Sequence, residues 1–142
     1  MIVFLDTSSL VKLYQQESGS EAIQNLVSAA EVSAIYLSEL AKLEFLSALW
    51  KKVRLKEITD EIAKAVFENF QNDIDKFNWI KLDSEIIKSA SEQLMKYGNT
   101  GLRTLDSIQF ASALTLKSRT CIFHTSDDLL KSLFEKEKLR TS

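Results

Sequence analysis

The chain opens with Ile2-Val3-Phe4-Leu5, an unbroken apolar run of β-forming residues that stops at a carboxylate, Asp6. A strand with one wet face alternates apolar and polar residues, because successive side chains point to opposite sides of the sheet. A run without alternation suits a strand covered on both faces, as in a parallel sheet. This one segment points to an α/β fold, and the rest of the chain has to supply the covering helices.

The remaining pattern does so. Leu10 to Tyr14 reads as a short helix and Glu21 to Ala30 as a second, with Ala22, Leu26 and Ala29 or Ala30 on one side. Ser33 to Leu37 reads as a strand, and Ser38 is expected to cap a helix running to about Arg54, its hydroxyl accepting free amide hydrogens of the first turn. Thr59 opens a helix to about Asp75, with Ile62, Ala65 or Val66, Phe70 and Ile74 at helical spacing. Phe77 to Leu82 is a third strand. Asp83 or Ser84 caps a helix with Ile86 or Ile87, Ala90 and Leu94 on one face, and Gly98 closes it. Thr104 to Leu116 is a further helix, Thr120 to His124 a fourth strand, and Ser126 caps a last helix from Asp127 to about Lys136. Strands alternating with helices imply a mainly parallel sheet. With 142 residues, no proline, three glycines, no repeat and no visible linker, the chain reads as one domain over residues 1–142.

Charge and cysteine content bound the partners and the compartment. A formal net charge of -2 excludes the strongly basic stripe of nonspecific duplex binders, although bound cations can neutralise phosphate where side chains do not. The single cysteine, Cys121, cannot form an intrachain disulfide, which fits a reducing compartment. Met1 to Leu5 is too short for a signal peptide, and no run approaches the roughly 20 apolar residues that span a bilayer. The expectation is a cytoplasmic protein with no membrane partner.

Four carboxylates carry the functional argument. Asp6 leaves the C-terminal end of the first strand, where open α/β sheets place their ligand crevice, or it caps the turn that follows. Glu44 shares a helix stripe with Leu40, Ser47 and Ala48, where a charge is at the core boundary or held for a purpose. Glu39 reads instead as a first-turn acid that complements the helix dipole. Asp106 is the only charged residue between Thr104 and Leu116; it needs a positive partner, either Arg103 or a cation. Asp127 is by itself an ordinary first-turn acid, but it emerges beside Asp6 if the first and fourth strands are parallel neighbours. Gathered carboxylates drive one another towards protonation. A divalent cation such as Mg²⁺ resolves that conflict and serves phosphate chemistry.

At this point the residues resemble a family. Met1-Ile-Val-Phe-Leu-Asp6-Thr7-Ser8-Ser9-Leu10-Val11-Lys12-Leu13-Tyr14 resembles the opening of VapC-type PIN-domain ribonucleases. So do Ser38 through Glu44 to Leu49, Gly101 through Asp106 to Ala111, and Thr125-Ser126-Asp127. Each motif is short, but all four stand in the family's order over the whole chain. The resemblance implies a three-layer α/β/α domain with an Mg²⁺ or Mn²⁺ site formed by Asp6, Glu44, Asp106 and Asp127. Thr7, Ser8 and Thr125 would be the hydroxyl partners that orient those ligands. It further implies an endoribonuclease acting on structured RNA, often transfer RNA, a homodimer and, for a true toxin, a separately encoded VapB-like antitoxin. Lys138 to Ser142 leaves little room for the family's final strand, which is expected to be short or absent.

Other readings are weaker. No G-x-x-x-x-G-K-[ST] or G-x-G-x-x-G loop is present. An Asp-x-Asp phosphotransferase would want an acid where Ser8 stands, and a response-regulator domain would want adjacent acids near the first strand and a late lysine. His124, the only histidine, reads as a strand residue with a local partner rather than a general base. Lys51, Lys52, Arg54 and Lys56 end a helix, where they complement its dipole or touch RNA phosphate. A noncatalytic protein-binding or RNA-binding module of the same fold is the alternative to the enzyme.

Overall fold

The computed structural model describes residues 1–142. Four strands, β1 (Ile2–Leu5), β2 (Ala34–Ser38), β3 (Asn78–Ile80) and β4 (Cys121–His124), form one sheet in the order β3-β2-β1-β4. Every pairing is parallel. Seven α-helices cover it: α1 (Thr7–Tyr14), α2 (Ser20–Ser28), α3 (Ala41–Arg54), α4 (Asp60–Asn72), α5 (Ser84–Tyr97), α6 (Thr104–Leu114) and α7 (Asp128–Lys136). The alternation of β1 explains the three layers. Val3 and Leu5 join a core with Leu10, Ile23, Phe45 and Phe70, on the side of α1 to α4. Ile2 and Phe4 join Phe110, Phe123, Leu133 and Phe134 on the side of α5 to α7. All four residues of β1 are buried, as a strand between two helical layers requires.

Most elements fall where the sequence places them, and the differences have local causes. Helix α1 starts at Thr7 rather than Leu10, because the Asp6 carboxylate caps it by accepting from the Ser9 amide at 3.0 Å. Ser38 does not cap α3. It ends β2, its Oγ accepts from the Leu40 amide at 3.2 Å, and the helix begins only at Ala41. Glu39 therefore lies outside the helix, paired with Lys42 at 2.8 Å, while Glu44 occupies the first turn. Ser126 likewise yields its capping role to Asp127, whose Oδ1 accepts from the Leu130 amide at 2.7 Å. Helix α4 stops at Asn72, and a 3-10 turn spans Ile74–Lys76; Asp73 between them accepts from the Tyr14 hydroxyl at 2.8 Å. Thr59 and Asp83 cap α4 and α5 as expected.

The buried face departs from expectation in α2 and at one position of α4. In α2 the buried apolar residue is Ile23, flanked by Leu26 and Val27, rather than Ala22. In α4 the face is Ala63, Val66 and Phe70, leaving Ile62 exposed. In α5 the expected face holds, with Ile86 and Ala90 buried and Leu94 partly so; Tyr97 joins it and Ile87 is the exposed one of the pair. Gly98 follows α5 in a right-handed conformation, and the left-handed residue is Gly101, with φ 119°. The final strand is reduced to one bridge between Phe123 and Thr141.

Phe45 anchors α3 to the sheet. It is fully buried, lies 4.3 Å from the Phe70 ring centroid and meets Tyr14 edge to face. Phe45→Ala is expected to cost about 3–5 kcal/mol, as aromatic truncations in well-packed cores do. Urea unfolding measures this; a loss below about 1 kcal/mol would show that the site collapses around the cavity.

Candidate active site

The sheet order decides where the site forms. β1 connects onward to β2 and β3 on one side, while β4 pairs on its other side, so the order reverses between β1 and β4. Open α/β sheets bind ligands beyond the strand ends at such a point. Asp6 follows Leu5 and Asp127 follows Thr125-Ser126 there, with Leu5 and His124 in register. The two therefore leave the sheet at the same edge.

Hydroxyls fasten this edge together. Ser8 Oγ donates to Asp6 Oδ1 at 2.7 Å and accepts from the Ser126 amide at 3.0 Å. Thr125 Oγ1 donates to Asp6 Oδ2 in a short hydrogen bond and accepts from the Asp127 amide at 3.0 Å. Asp6 is only 4% exposed, and Thr7 and Thr125 are buried with it. Thr7 serves a different carboxylate, donating to Glu44 Oε1 at 2.9 Å. Each of the three hydroxyls thus donates to one of the candidate acids, Ser8 and Thr125 to Asp6 and Thr7 to Glu44.

Glu44 enters from α3 and Asp106 from the first turn of α6. Glu44, Ser47, Ala48 and Lys51 form a wall of the cleft that continues to the buried Leu40 just before α3, while the helix turns Ala41, Phe45 and Leu49 into the core. The cleft has a volume of about 540 Å³ and is lined by all four acids, with Lys51 and Arg54 at its rim. Helix α6 is buried from Ser107 to Ala113, but Asp106 itself is half-buried and opens on the cleft. No ion pair joins it to Arg103, and its carboxylate accepts no hydrogen bond from the protein. The Arg103 charge is only the weakest influence on it.

Burial and mutual repulsion dominate the electrostatics of the cleft. Burial raises the pKa of Asp6, against the opposing effect of hydrogen bonds from Thr125, Ser8 and Ser9. Burial also raises Glu44, and the charges of Asp106 and Asp6 add to that, opposed by hydrogen bonds from Gln109 and Thr7. Asp106 is raised by burial and then by the charges of Asp127 and Asp6. None of the four acids pairs with a lysine or arginine. Oxygen-only donors with unbalanced negative charge fit a hard divalent cation, which keeps several waters of its own. No three of them stand close enough to enclose a metal unaided, so waters or substrate oxygens would complete the shell.

One residue of the site, Gln109, does not stand out in the sequence, whereas His124 behaves as expected. Gln109, 2% exposed, donates to Glu44 Oε1 at 2.7 Å and to Thr7 Oγ1 at 3.0 Å; it lies three residues after Asp106 and so shares its face. The available signal was that Gln109 is the one long polar side chain in that apolar helix. His124 has its expected local partner: the buried Ser9 hydroxyl lies 2.7 Å from Nδ1. Burial lowers the His124 pKa.

Family comparison agrees with the fold. The PIN domain profile matches residues 3–133, and the chain belongs to the PIN-domain family. Among solved structures, the chain is similar to VapC20 of Mycobacterium tuberculosis, a sarcin–ricin loop cleaving toxin, with TM-score 0.68 and 14% identity over 92% of this chain and 94% of that one. It is also similar to VapBC2 of Rickettsia felis bound to a promoter DNA fragment, with TM-score 0.66 and 14% identity over 100% and 98% of the two chains. FitAcB of Neisseria gonorrhoeae gives TM-score 0.66 and 15% identity over 98% and 95%. Curated protein sequences give no significant match.

The three raised acids make one contribution to the pH response of the metal-free protein: the folded state holds their protons more tightly than the unfolded chain, so the stability they contribute falls as pH rises from about 4 through the raised folded-state values. Asp106→Asn removes one repelling charge, so the metal-free variant is expected to melt above wild type at pH 7. Added Mg²⁺ or Mn²⁺ should raise the melting temperature of wild type more than that of the variant. A variant that melts lower without metal, and responds equally to metal, would make Asp106 a structural group.

Proposed function

We propose that this chain, read as one PIN domain over residues 1–142, is a metal-dependent endoribonuclease of the VapC type. The observation that carries this is the cluster of Asp6, Glu44, Asp106 and Asp127 in one cleft with no basic partner, the first three of them pushed towards protonation by burial. Those four residues would hold Mg²⁺ or Mn²⁺. When bound, the cation supplies Lewis-acid activation of water and stabilisation of the leaving oxygen at an RNA phosphodiester.

The chain's own groups have distinct tasks. Asp6 already accepts three protein hydrogen bonds, which leave it fixed in one orientation. Asp106 accepts none and keeps both oxygens for the cleft, while Asp127 uses only Oδ1 for its cap. Asp6 is thus the anchor, and Asp106 is the acid with most coordinating capacity left. Lys51 and Arg54, neither of them ion-paired, stand where the flanking phosphates of a substrate would lie. No aromatic side chain lines the cleft. The strand is therefore held by its backbone rather than by base stacking, as suits a structured RNA such as transfer RNA.

We also propose that the protein is the toxin of a type II pair, working in the cytoplasm as a homodimer. Similarity to VapBC complexes supports a VapB-like antitoxin. Leu43, 70% exposed, and Leu105, 50% exposed, line the same cleft, an apolar rim for such a partner to cover. No helix is long and apolar enough to cross a membrane. A noncatalytic binding module of the same fold is favoured only by the lack of a closed three-ligand cage.

Incubation of the purified protein with total RNA separates the two. Cleavage is expected with Mg²⁺ or Mn²⁺ and none with a chelator, and Asp6→Asn or Asp106→Asn should lower it at least about a hundredfold. Equal cutting by wild type and variants, or no cutting with any metal, removes the enzymatic reading. Lys51→Glu and Arg54→Glu should raise KM and each lower the salt dependence of RNA binding by about one phosphate contact. Unchanged KM would place the substrate elsewhere.

A further inference from the structure

Gln109 is the best-buried polar side chain in the cleft, and its bonding is lopsided. Its Nε2 donates both to Glu44 Oε1 and to Thr7 Oγ1, while its Oε1 is buried with no partner at all. A buried carbonyl without a donor is costly. The amide cannot escape that cost by turning over, because Oε1 would then face the Glu44 carboxylate. The side chain is held in its costly orientation by what the amide group donates to.

The recipient is one oxygen. Thr7 Oγ1 and Gln109 Nε2 both donate to Glu44 Oε1, and Gln109 also donates to Thr7, closing a three-membered ring. Glu44 Oε2 receives nothing from the protein. A free glutamate on a helix could rotate to offer either oxygen or both. Here one is saturated and the other is left for the cleft.

We propose that Gln109 is a positioning residue: with Thr7 it fixes Glu44 so that Oε2 alone is presented to a divalent cation. This rests on the metal-dependent reading above and adds how one ligand is oriented. Outer hydrogen bonds of this kind typically account for 10- to 100-fold in metal affinity.

The test is Mn²⁺ titration of the intact protein, followed by electron paramagnetic resonance of free Mn²⁺, for wild type and Gln109→Met. Methionine nearly matches the volume of glutamine, and the exchange removes the unpartnered carbonyl as well as the donor. The expected result is an unchanged or higher melting temperature without metal, with Mn²⁺ affinity weakened by about tenfold or more. RNA cleavage at saturating Mn²⁺ should fall through kcat with KM little altered. A purely structural role gives the opposite: a lower melting temperature and wild-type Mn²⁺ affinity in the folded fraction, which overturns the proposal. If Gln109→Met does not fold, Gln109→Glu is judged by the same titration, weakened binding supporting the proposal and wild-type binding ending it. Failure of wild type itself to bind Mn²⁺ removes the metal-dependent reading and this inference together, whereas binding by wild type and variant alike removes only this inference.

Discussion

Two hydroxyls hold the functional edge of this protein in place. Ser8 and Thr125 each donate to the Asp6 carboxylate and each accept an amide from the segment after β4. One buried carboxylate thereby caps α1, joins β1 to the turn before α7, and fixes where Asp127 begins its helix. The parallel pairing of β1 with β4 brings the two strand ends level, and the hydroxyl bonds convert that closeness into a defined arrangement. Capping α1 does not bar Asp6 from the proposed role of metal ligand. Its protein hydrogen bonds orient it, and an acceptor site is left over, since a carboxylate offers about four.

The same edge is the least comfortable part of the fold. Three acids are shifted towards protonation by burial, and Glu44 and Asp106 also by one another or by neighbouring acids. Elsewhere the molecule resolves buried or half-buried charge by pairing: Glu137 receives Lys96 at 2.5 Å and Tyr97 at 2.7 Å, and Glu17 receives Lys52 at 2.8 Å. The contrast is informative because one chain treats its acids in two ways. Where charge is structural it is neutralised within the protein. In the cleft no basic side chain pairs with the acids.

Local chemistry was legible in the sequence, and tertiary choices were not. The unbroken run at Ile2 to Leu5 announced a strand covered on both faces, and Thr59 and Asp83 announced helix starts through their own side chains. Capping failed as a guide at Ser38, because a serine beside a strand end can satisfy its neighbour's amide without a helix following at once. The expected burial face missed Ile23 in α2 and Ala63 in α4 and left Ile86 and Ile87 open in α5, because each helix has apolar residues on more than one stripe and only the packing partner selects among them. In the site, charged residues stood out because they break an apolar pattern. Gln109 did not, since a neutral amide in a helix violates no rule until its hydrogen bonds are seen.

The central claim is that the four acids form a cation site rather than a set of caps and surface charges. Anomalous diffraction from crystals soaked in Mn²⁺ tests it most directly, because manganese is located independently of activity or of the RNA supplied. The expected result is a peak in the cleft among Asp6, Glu44, Asp106 and Asp127, with oxygen ligands. A cleft free of anomalous density at millimolar Mn²⁺, or manganese bound only elsewhere on the molecule, would contradict it.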